Sequence, residues 1–327
     1  MGQVTPTRIV LLTETNSKFG APVLRRLVEY PGVEVVAVVT REPGVLCEYY
    51  ADDPDPVDVA ESAAAAGIPV LRPAKVNDPE LVERLRELAP DYLMIANYRL
   101  ILREPVLAVP ARGTVNLHPG PLPRYAGLAP FFWMAKNGER AGGTSMVWTT
   151  PEIDGGPLVA QRRVVLNGTE TARRIMDLHF QASWQLLDDV LPALITGAVE
   201  LTDQDGAART YFGKPRAQDR TLDWDEPVEA VLRTVRACSA EVGALAVTSS
   251  GSTFRVLSAE AMPGHAEDLG DPGELRVFGH GVLAIRAADG WLAVTSLGLG
   301  ADSEPEERLT VTNVPALLDA LDLGASG

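Results

Sequence analysis

The first part of the chain alternates between short apolar runs and longer amphipathic stretches. The apolar runs, rich in valine, leucine and isoleucine, are typical of strands buried on both faces, whereas the amphipathic stretches repeat with a helical period. The runs lie at 8–13, 33–40, around Val70, at 91–97 and at 113–118, and the helical stretches lie at 20–28, 57–66 and 79–88. The last helix has Asp78 at its expected N-cap and Pro79 at its first position. Strands that alternate with helices predict an α/β fold with a doubly wound, mostly parallel sheet.

The pattern loosens after residue 197. A β-ribbon at 144–148 and 158–165 and a long helix at 171–194 precede a polar stretch at 203–220, which we interpret as a linker. One helix at 227–238 then comes before short strands with Gly, Pro and Asp turns, a pattern that predicts a small OB-like β-barrel. These strands lie at 244–248, 253–258, 274–278, 282–286 and 292–296. The predicted division is a catalytic domain at 1–205, a linker at 206–222 and a C-terminal domain at 223–327.

Composition narrows the classes of function. The 327 residues carry a net charge of −15, which disfavours a nucleic-acid partner. No apolar run approaches the roughly 20 residues that cross a bilayer, and no secretory signal opens the sequence, so we expect a cytoplasmic protein without membrane contact. Cys47 and Cys238 are far apart and lack a CxxC motif, which favours neither a disulfide nor a zinc site. The loop at 13–20 lacks GxGxxG, which disfavours a nicotinamide cofactor. No oligomeric state is predicted.

Two polar clusters carry the candidate chemistry. Asn116 and His118 lie two residues apart at the end of a predicted strand, so they share one face and point into the crevice where such sheets bind ligands. A lone histidine at a strand end is more often structural than catalytic. Asp154 lies in the turn of the predicted ribbon, where Asp followed by Gly is also a common hairpin signal. Together the clusters supply an imidazole, a carboxylate and an amide, which are the groups that acyl transfer needs.

These motifs resemble the signature of the 10-formyltetrahydrofolate-dependent formyltransferase family. The resemblance rests on Asn116-x-His118, the proline-bearing loop that ends at Gly127, and Ile153-Asp154-Gly155-Gly156. It extends through 211–216 and 222–224 to the turns at 272–274 and 289–291. The family includes methionyl-tRNA, glycinamide ribonucleotide and sugar N-formyltransferases.

The resemblance implies roles for individual residues. Asn116 donates to the oxyanion, His118 exchanges protons with the amine or donates to the oxyanion, and Asp154 orients the imidazole, with no metal required. The co-substrate's pterin ring is held mainly by backbone groups of Leu100, Ile101, Leu102, Thr150, Ile153 and Asp154. Ordinary core packing is the alternative role for the three residues at 100–102. The resemblance also makes Leu122-Pro123 a candidate cis peptide bond.

The acceptor is the open question. The tRNA enzymes carry a basic insertion after the second strand, but the stretch at 41–53 contains one arginine and four acidic residues. A phosphate backbone is disfavoured there. We therefore predict a small-molecule amine, either an amino sugar nucleotide or a hydroxyornithine-type precursor, for which Tyr49 and Tyr50 offer stacking surfaces. Methionyl-tRNA is the alternative acceptor, while a hydrolase of the same donor and a noncatalytic folate-binding protein are less favoured. His179, His265 and His280 are given no role.

Overall fold

The computed structural model describes residues 5–47, 55–238, 242–264, 269–279, 281–299 and 307–310. It divides into two compact units, each assembled from separate segments of sequence. The first unit takes in Met1–Gly127, Gly142–Val164 and Leu178–Tyr211, and the second takes in Leu128–Ala141, Val165–Asp177 and Phe212–Gly327. The domain boundaries at 205 and 222 stay a sequence-based prediction. Tyr49, Tyr50, His265 and His280 lie outside the described residues.

The helices and strands follow one another along the chain in an α/β order and then a β-rich order. In the α/β part they are β1 (Thr7–Leu12), α1 (Gly20–Glu29), β2 (Val33–Val39), α2 (Val59–Ala65), β3 (Val70–Leu71), α3 (Pro79–Glu87), β4 (Tyr92–Ile95), α4 (Glu104–Leu107), β5 (Gly113–His118), β6 (Ala126–Gly127), α5 (Pro130–Asn137), β7 (Ala141–Trp148), β8 (Leu158–Val165) and α6 (Ala172–Thr196). The β-rich part contains β9 (Tyr211–Phe212), α7 (Val228–Ala237), β10 (Ala244–Val247), β11 (Thr253–Ala261), β12 (Leu275–Phe278), β13 (Val282–Ala287), β14 (Gly290–Leu299) and β15 (Glu307–Thr310).

The large sheet has the strand order β3-β2-β1-β4-β5-β7-β8. The pairs from β3 through β5 are parallel, and β7 joins β5 antiparallel. The chain runs outward from β1 to β2 and β3 and then crosses to β4 on the opposite side. Strand order therefore reverses between β1 and β4, which is where open sheets of this type bind ligands. The predicted doubly wound, mostly parallel sheet is confirmed.

Apolar burial explains why these segments form the sheet and its covering helices. Four residues of β1, from position 9 to 12, have no exposed surface. The apolar face of α3, formed by Leu81, Val82 and Leu85, packs in one core cluster with Val10 of β1 and Leu93 of β4. Each such side chain contributes about 2 kcal/mol when it is fully buried. The central strands are thereby fixed, and their carboxyl ends form one edge.

Three local features differ from the sequence-based expectation. The second helix begins at Val59 rather than at residue 57 because the Asp58 side chain caps it by accepting from two backbone N–H groups. Asp78 does occupy the N-cap of α3, but within the described residues its side chain makes no capping hydrogen bond. Helices α4 and α5 were not predicted. The sequence of α5 is apolar on nearly every face, so it lacks the periodicity that marks an amphipathic helix.

The second unit contains an antiparallel sheet. Its strands follow the order β10-β11-β14-β13-β12, with β15 added to β14. Helix α7 packs on β11 and β14, and the fully buried Trp291 of β14 lies 4.6 Å below the Arg276 guanidinium. The predicted smaller C-terminal β domain, expected as an OB-like barrel, is confirmed as a domain built on an antiparallel sheet. In the part of the chain that the structure describes, no helix has the length and apolar character needed to span a bilayer.

Gly113, which opens β5, gives a test of how tightly β5 packs against β7. Its φ is +144°, and an added Cβ would lie 2.0 Å from Cζ2 of Trp148. Gly67 has a φ of +72° but open space around it, so its replacement measures backbone strain alone. We expect Gly67→Ala to lower the free energy of unfolding by about 1 kcal/mol and Gly113→Ala by about 3 kcal/mol or more. Denaturant titration measures both, and equal losses would show that the β5–β7 contact is loose.

Candidate active site

Strand β5 delivers the two predicted polar side chains to the carboxyl edge of the sheet. Asn116 is in register with Ile95 of β4 on one side, and His118 is in register with Ser145 of β7 on the other. Their positions two residues apart place both side chains on one face. Asn116 is half-buried, whereas His118 is only 5% exposed. The imidazole is therefore a fixed group in a nearly dry environment.

Both ring nitrogens of His118 have a partner. Nε2 lies 3.0 Å from the Tyr125 carbonyl oxygen, and because a carbonyl only accepts, Nε2 carries a hydrogen. Nδ1 lies 3.6 Å from Oδ2 of Asp154. The two partners come from different loops, so the ring is held between the proline-bearing loop and the loop that carries the aspartate.

The Asp154 carboxylate joins three segments of the chain. Its Oδ1 accepts from Nδ2 of Asn116 at 3.3 Å, and its Oδ2 accepts from the backbone N–H of Gly127 at 2.9 Å. Asp154 itself has a φ of +50°, a left-handed conformation that is uncommon for a residue with a Cβ. The carboxylate thus acts as an acceptor for the amide and faces the imidazole, so the three predicted catalytic residues are brought together.

The proline-bearing loop is fixed by side chains of β7 and β8. Ser145 Oγ donates to the Gly120 carbonyl at 2.7 Å and accepts from the Leu122 N–H at 3.1 Å. Gln161 Nε2 donates to the Leu122 carbonyl at 2.7 Å. The Leu122-Pro123 bond is cis, as predicted. The hydrogen bonds from Ser145 and Gln161 define the path of the loop toward Tyr125.

Glycine at position 120 lets this loop approach the imidazole. An added Cβ there would lie 2.6 Å from Nε2 of His118, which is too close for any side chain.

Behind β5, Thr144 Oγ1 donates to the His118 carbonyl at 3.1 Å. His179 is fully buried and accepts from the Gly143 N–H at 3.1 Å. His179 thus contributes to the support of β7.

The predicted co-substrate residues lie in two places. Leu102 is 5% exposed and belongs to the core cluster, which half-buried Leu100 also contacts, while the Ile101 side chain is 60% exposed. These three residues follow β4, the strand beside β5. Thr150 and Ile153 belong to the loop that carries Asp154, and the Ile153 side chain is 42% exposed.

Three residues that bond to the site were not predicted. The Tyr125 carbonyl holds the imidazole, and Gln204 and Arg209 donate to backbone carbonyls of the Asp154 loop. A backbone carbonyl has no residue-type signature, so no sequence pattern indicates the role of Tyr125. Gln204 lies near the start of the polar stretch whose composition predicts a linker.

Tyr98, just after β4, has a buried hydroxyl with no hydrogen-bond partner among the residues that the structure describes. Burial, with the nearby Glu14 carboxylate adding to it, raises the pKa of Tyr98 to about 12. Between pH 10 and pH 12 the unfolded phenol therefore ionises while the folded one stays neutral, so stability from this group is lost as pH rises through that window.

We expect Tyr98→Phe to make the loss of unfolding free energy between pH 10 and 12 shallower. The matched variant Tyr211→Phe, at a side chain 55% exposed, should leave the slope unchanged, and identical slopes in both variants would contradict the assignment.

Comparison with known proteins gives a consistent set of similarities. Residues 7–191 match the family described as Formyl transferase, and residues 214–304 match Formyl transferase, C-terminal domain. The methionyl-tRNA formyltransferase of Geobacter metallireducens is 30% identical over 281 residues, covering 86% of this chain and 88% of that protein.

Solved structures are similar in fold. HypX from Aquifex aeolicus in complex with tetrahydrofolic acid has a TM-score of 0.62 at 18% identity, over 95% of this chain and 46% of HypX. The chain thus spans about half the length of that protein. The N-formyltransferase from Helicobacter canadensis in complex with folinic acid and dTDP-3-aminofucose has a TM-score of 0.63 at 15% identity, over 87% of this chain and 98% of that one.

Proposed function

The chain belongs to the formyltransferase family, and from that premise we propose that it moves a formyl group from 10-formyltetrahydrofolate to the amine of a small molecule. The observation that carries the proposal is the contact of Asn116 and His118 with the carboxylate of Asp154. An amide donor, an imidazole and a carboxylate in one nearly buried cluster are the groups that acyl transfer to an amine requires.

Exposed apolar side chains in the two predicted donor segments fit a folate. Ile101 and Ile153 are large apolar side chains left 60% and 42% exposed, which suits the faces of a flat ring. We assign the donor to backbone groups of Leu100, Ile101 and Leu102 and to the loop with Thr150, Ile153 and Asp154. When bound, the donor supplies a formyl group on its N10 nitrogen.

Asn116 is assigned the stabilisation of charge on the formyl oxygen. One N–H of its amide faces Oδ1 of Asp154 at 3.3 Å, and a primary amide carries a second N–H. In our proposal that second hydrogen is donated to the oxygen as negative charge develops there. Donors fixed before the reaction and placed in a site with little water are worth about 3 kcal/mol each.

His118 is assigned the proton transfer. The amine nitrogen bonds to the formyl carbon and the bond from that carbon to N10 breaks, so the amine loses one proton and N10 gains one. The imidazole is the group in the cluster whose ring nitrogens can both accept and donate a proton. Asp154 faces Nδ1, so we assign the proton exchange to that nitrogen, and the carboxylate holds the ring by accepting from Nδ1 once it carries the hydrogen.

Two kinds of acceptor are considered. Residues 41–53 carry one arginine and four acidic residues, and negative charge there is unfavourable for a phosphate backbone. This favours a small amine, either an amino sugar nucleotide or a hydroxyornithine-type molecule. Methionyl-tRNA is the second candidate, favoured by the 30% identity to the Geobacter protein across most of both chains.

The acceptor is tested by measuring tetrahydrofolate release with each class of amine. We expect turnover with nucleotide-linked amino sugars or with hydroxylated ornithine, and no turnover when the same amine is blocked by acetylation. Charged initiator methionyl-tRNA should be a poor acceptor. Efficient formylation of the charged tRNA, with none of the small amines, would replace the first candidate by the second.

Single substitutions in the cluster test the assignment of roles. We expect Asn116→Ala, His118→Ala and Asp154→Asn each to lower kcat about 100-fold or more, because each removes a group that acts on the developing charge or the proton. Asp189→Asn is the matched control, since Asp189 is 61% exposed in an ion pair with Arg162. Circular dichroism checks folding, and wild-type rates in folded Asp154→Asn would remove this residue from the mechanism.

A further inference from the structure

The segment after α6 returns the chain to the site. Thr202 forms an antiparallel bridge with Leu158, the first residue of β8, through two backbone hydrogen bonds of 2.7 and 2.9 Å. The residues that follow, 204–210, then pass alongside both loops that hold the imidazole. We call residues 204–210 the brace.

Gln204 binds the Asp154 loop on both sides of Gly155. Its Nε2 donates to the carbonyl of Asp154 at 2.8 Å and to the carbonyl of Gly156 at 2.6 Å. Both hydrogens of the amide are thereby used on the backbone of one turn. Gly156 is itself confined, since an added Cβ would lie 1.8 Å from the Trp148 carbonyl oxygen.

Arg209 holds the same loop from its other end. Nη2 donates to the Ile153 carbonyl at 2.7 Å, and Nη1 donates to the Asp154 carbonyl at 3.4 Å. Its Nε lies 3.6 Å from the Glu152 carboxylate. The Asp154 carbonyl therefore accepts from two brace side chains, at the residue whose backbone is left-handed.

Thr210 holds the second loop. Its Oγ1 accepts from the Tyr125 N–H at 2.9 Å, its N–H donates to the Pro123 carbonyl at 3.2 Å, and its carbonyl accepts from the Ala126 N–H at 3.0 Å. These bonds flank the Tyr125 carbonyl, which is the partner of Nε2 in His118.

We propose that Gln204, Arg209 and Thr210 are positioning residues that set the orientation of the His118 imidazole. They contact neither ring nitrogen, but they fix the two groups that do, which are the Asp154 carboxylate and the Tyr125 carbonyl. The inference rests on the proposed formyl transfer for its kinetic consequence, because an error of about 1 Å in a catalytic group lowers a rate on the order of 100-fold.

The sharpest variant is Gln204→Glu, which keeps the shape of the side chain and replaces the donating NH2 by an acceptor that faces two carbonyls. We expect kcat to fall on the order of 100-fold. The Asp154 loop that Gln204 binds is also proposed to hold the donor, so the KM for 10-formyltetrahydrofolate should rise as well. Gln218→Glu, at an exposed position, is the matched control and should keep both constants.

Variants of Thr210 test the loop that carries Tyr125 separately from the loop that carries Asp154. Thr210→Val removes only the acceptor for Tyr125, so we expect kcat to fall about 10-fold with the KM for the donor unchanged, and Thr210→Ser should restore the rate. Thr202→Val, at an exposed side chain, is its control. A drop in Thr210→Val that serine does not restore would indicate a packing effect and overturn the positioning role of this hydroxyl.

The 15N NMR signals of the His118 ring give a readout that is independent of turnover. Wild type should show a hydrogen on Nε2, and Gln204→Glu and Thr210→Val should shift the His118 signals while leaving those of buried His179 in place. Unchanged ring signals and unchanged kcat in both variants would overturn the brace. Shifted ring signals in a protein that formylates no amine would support the brace and place the failure in the proposed function.

Discussion

The site depends on the register of β5 between two unlike neighbours. The strand pairs parallel with β4, aligning Asn116 with Ile95, and antiparallel with β7, aligning His118 with Ser145. A slip of one residue would turn both polar side chains to the opposite face. Because Val115 and Leu117 are buried on the opposite face, such a slip would also put polar side chains into their apolar surroundings. The hydrophobic core and the placement of the proposed catalytic groups therefore depend on the same register.

Much of this arrangement can be predicted from the sequence because it follows from local patterns. Apolar runs mark β1, β2, β4 and β5, and the spacing of Asn116 and His118 predicts that their side chains share one face. The role of Asp154 cannot be predicted from the local pattern alone, because an aspartate before two glycines is equally typical of a surface turn. Its pairing with His118 follows from the family resemblance, and the structure supplies the distance.

The parts that escape prediction have physical reasons. Helix α5 is apolar on most faces, so no periodicity separates it from a buried strand. Tyr125 acts through its carbonyl, which every residue possesses. Gln204, Arg209 and Thr210 stand in a polar stretch whose composition is that of a linker, and their partners are backbone atoms far away in sequence. Contacts of this type leave no pattern within a window of neighbouring residues.

The negative charge of the chain influences the choice of acceptor only through groups that lie close to the site. Charges separated by more than a Debye length, about 8 Å at physiological ionic strength, are largely screened in solvent. The net charge of −15 therefore affects the rate at which a charged acceptor meets the protein more than the energy of its contacts. The groups beside the site determine which acceptor binds. One such group, Arg209, already faces Glu152 and two loop carbonyls, so its charge is engaged in holding the loop.

The left-handed backbone of Asp154 connects stability to chemistry. That conformation costs about 1 kcal/mol for a residue with a Cβ, whereas each hydrogen bond made by the brace contributes about 1 kcal/mol net. The four donors that Gln204 and Arg209 place on the loop carbonyls therefore exceed the strain, and the carboxylate stays directed at both Asn116 and His118. Since the margin is a few kcal/mol spread over four bonds, losing one donor loosens the loop gradually, whereas reversing the polarity of the Gln204 amide removes two donors and adds repulsion at the strained residue itself.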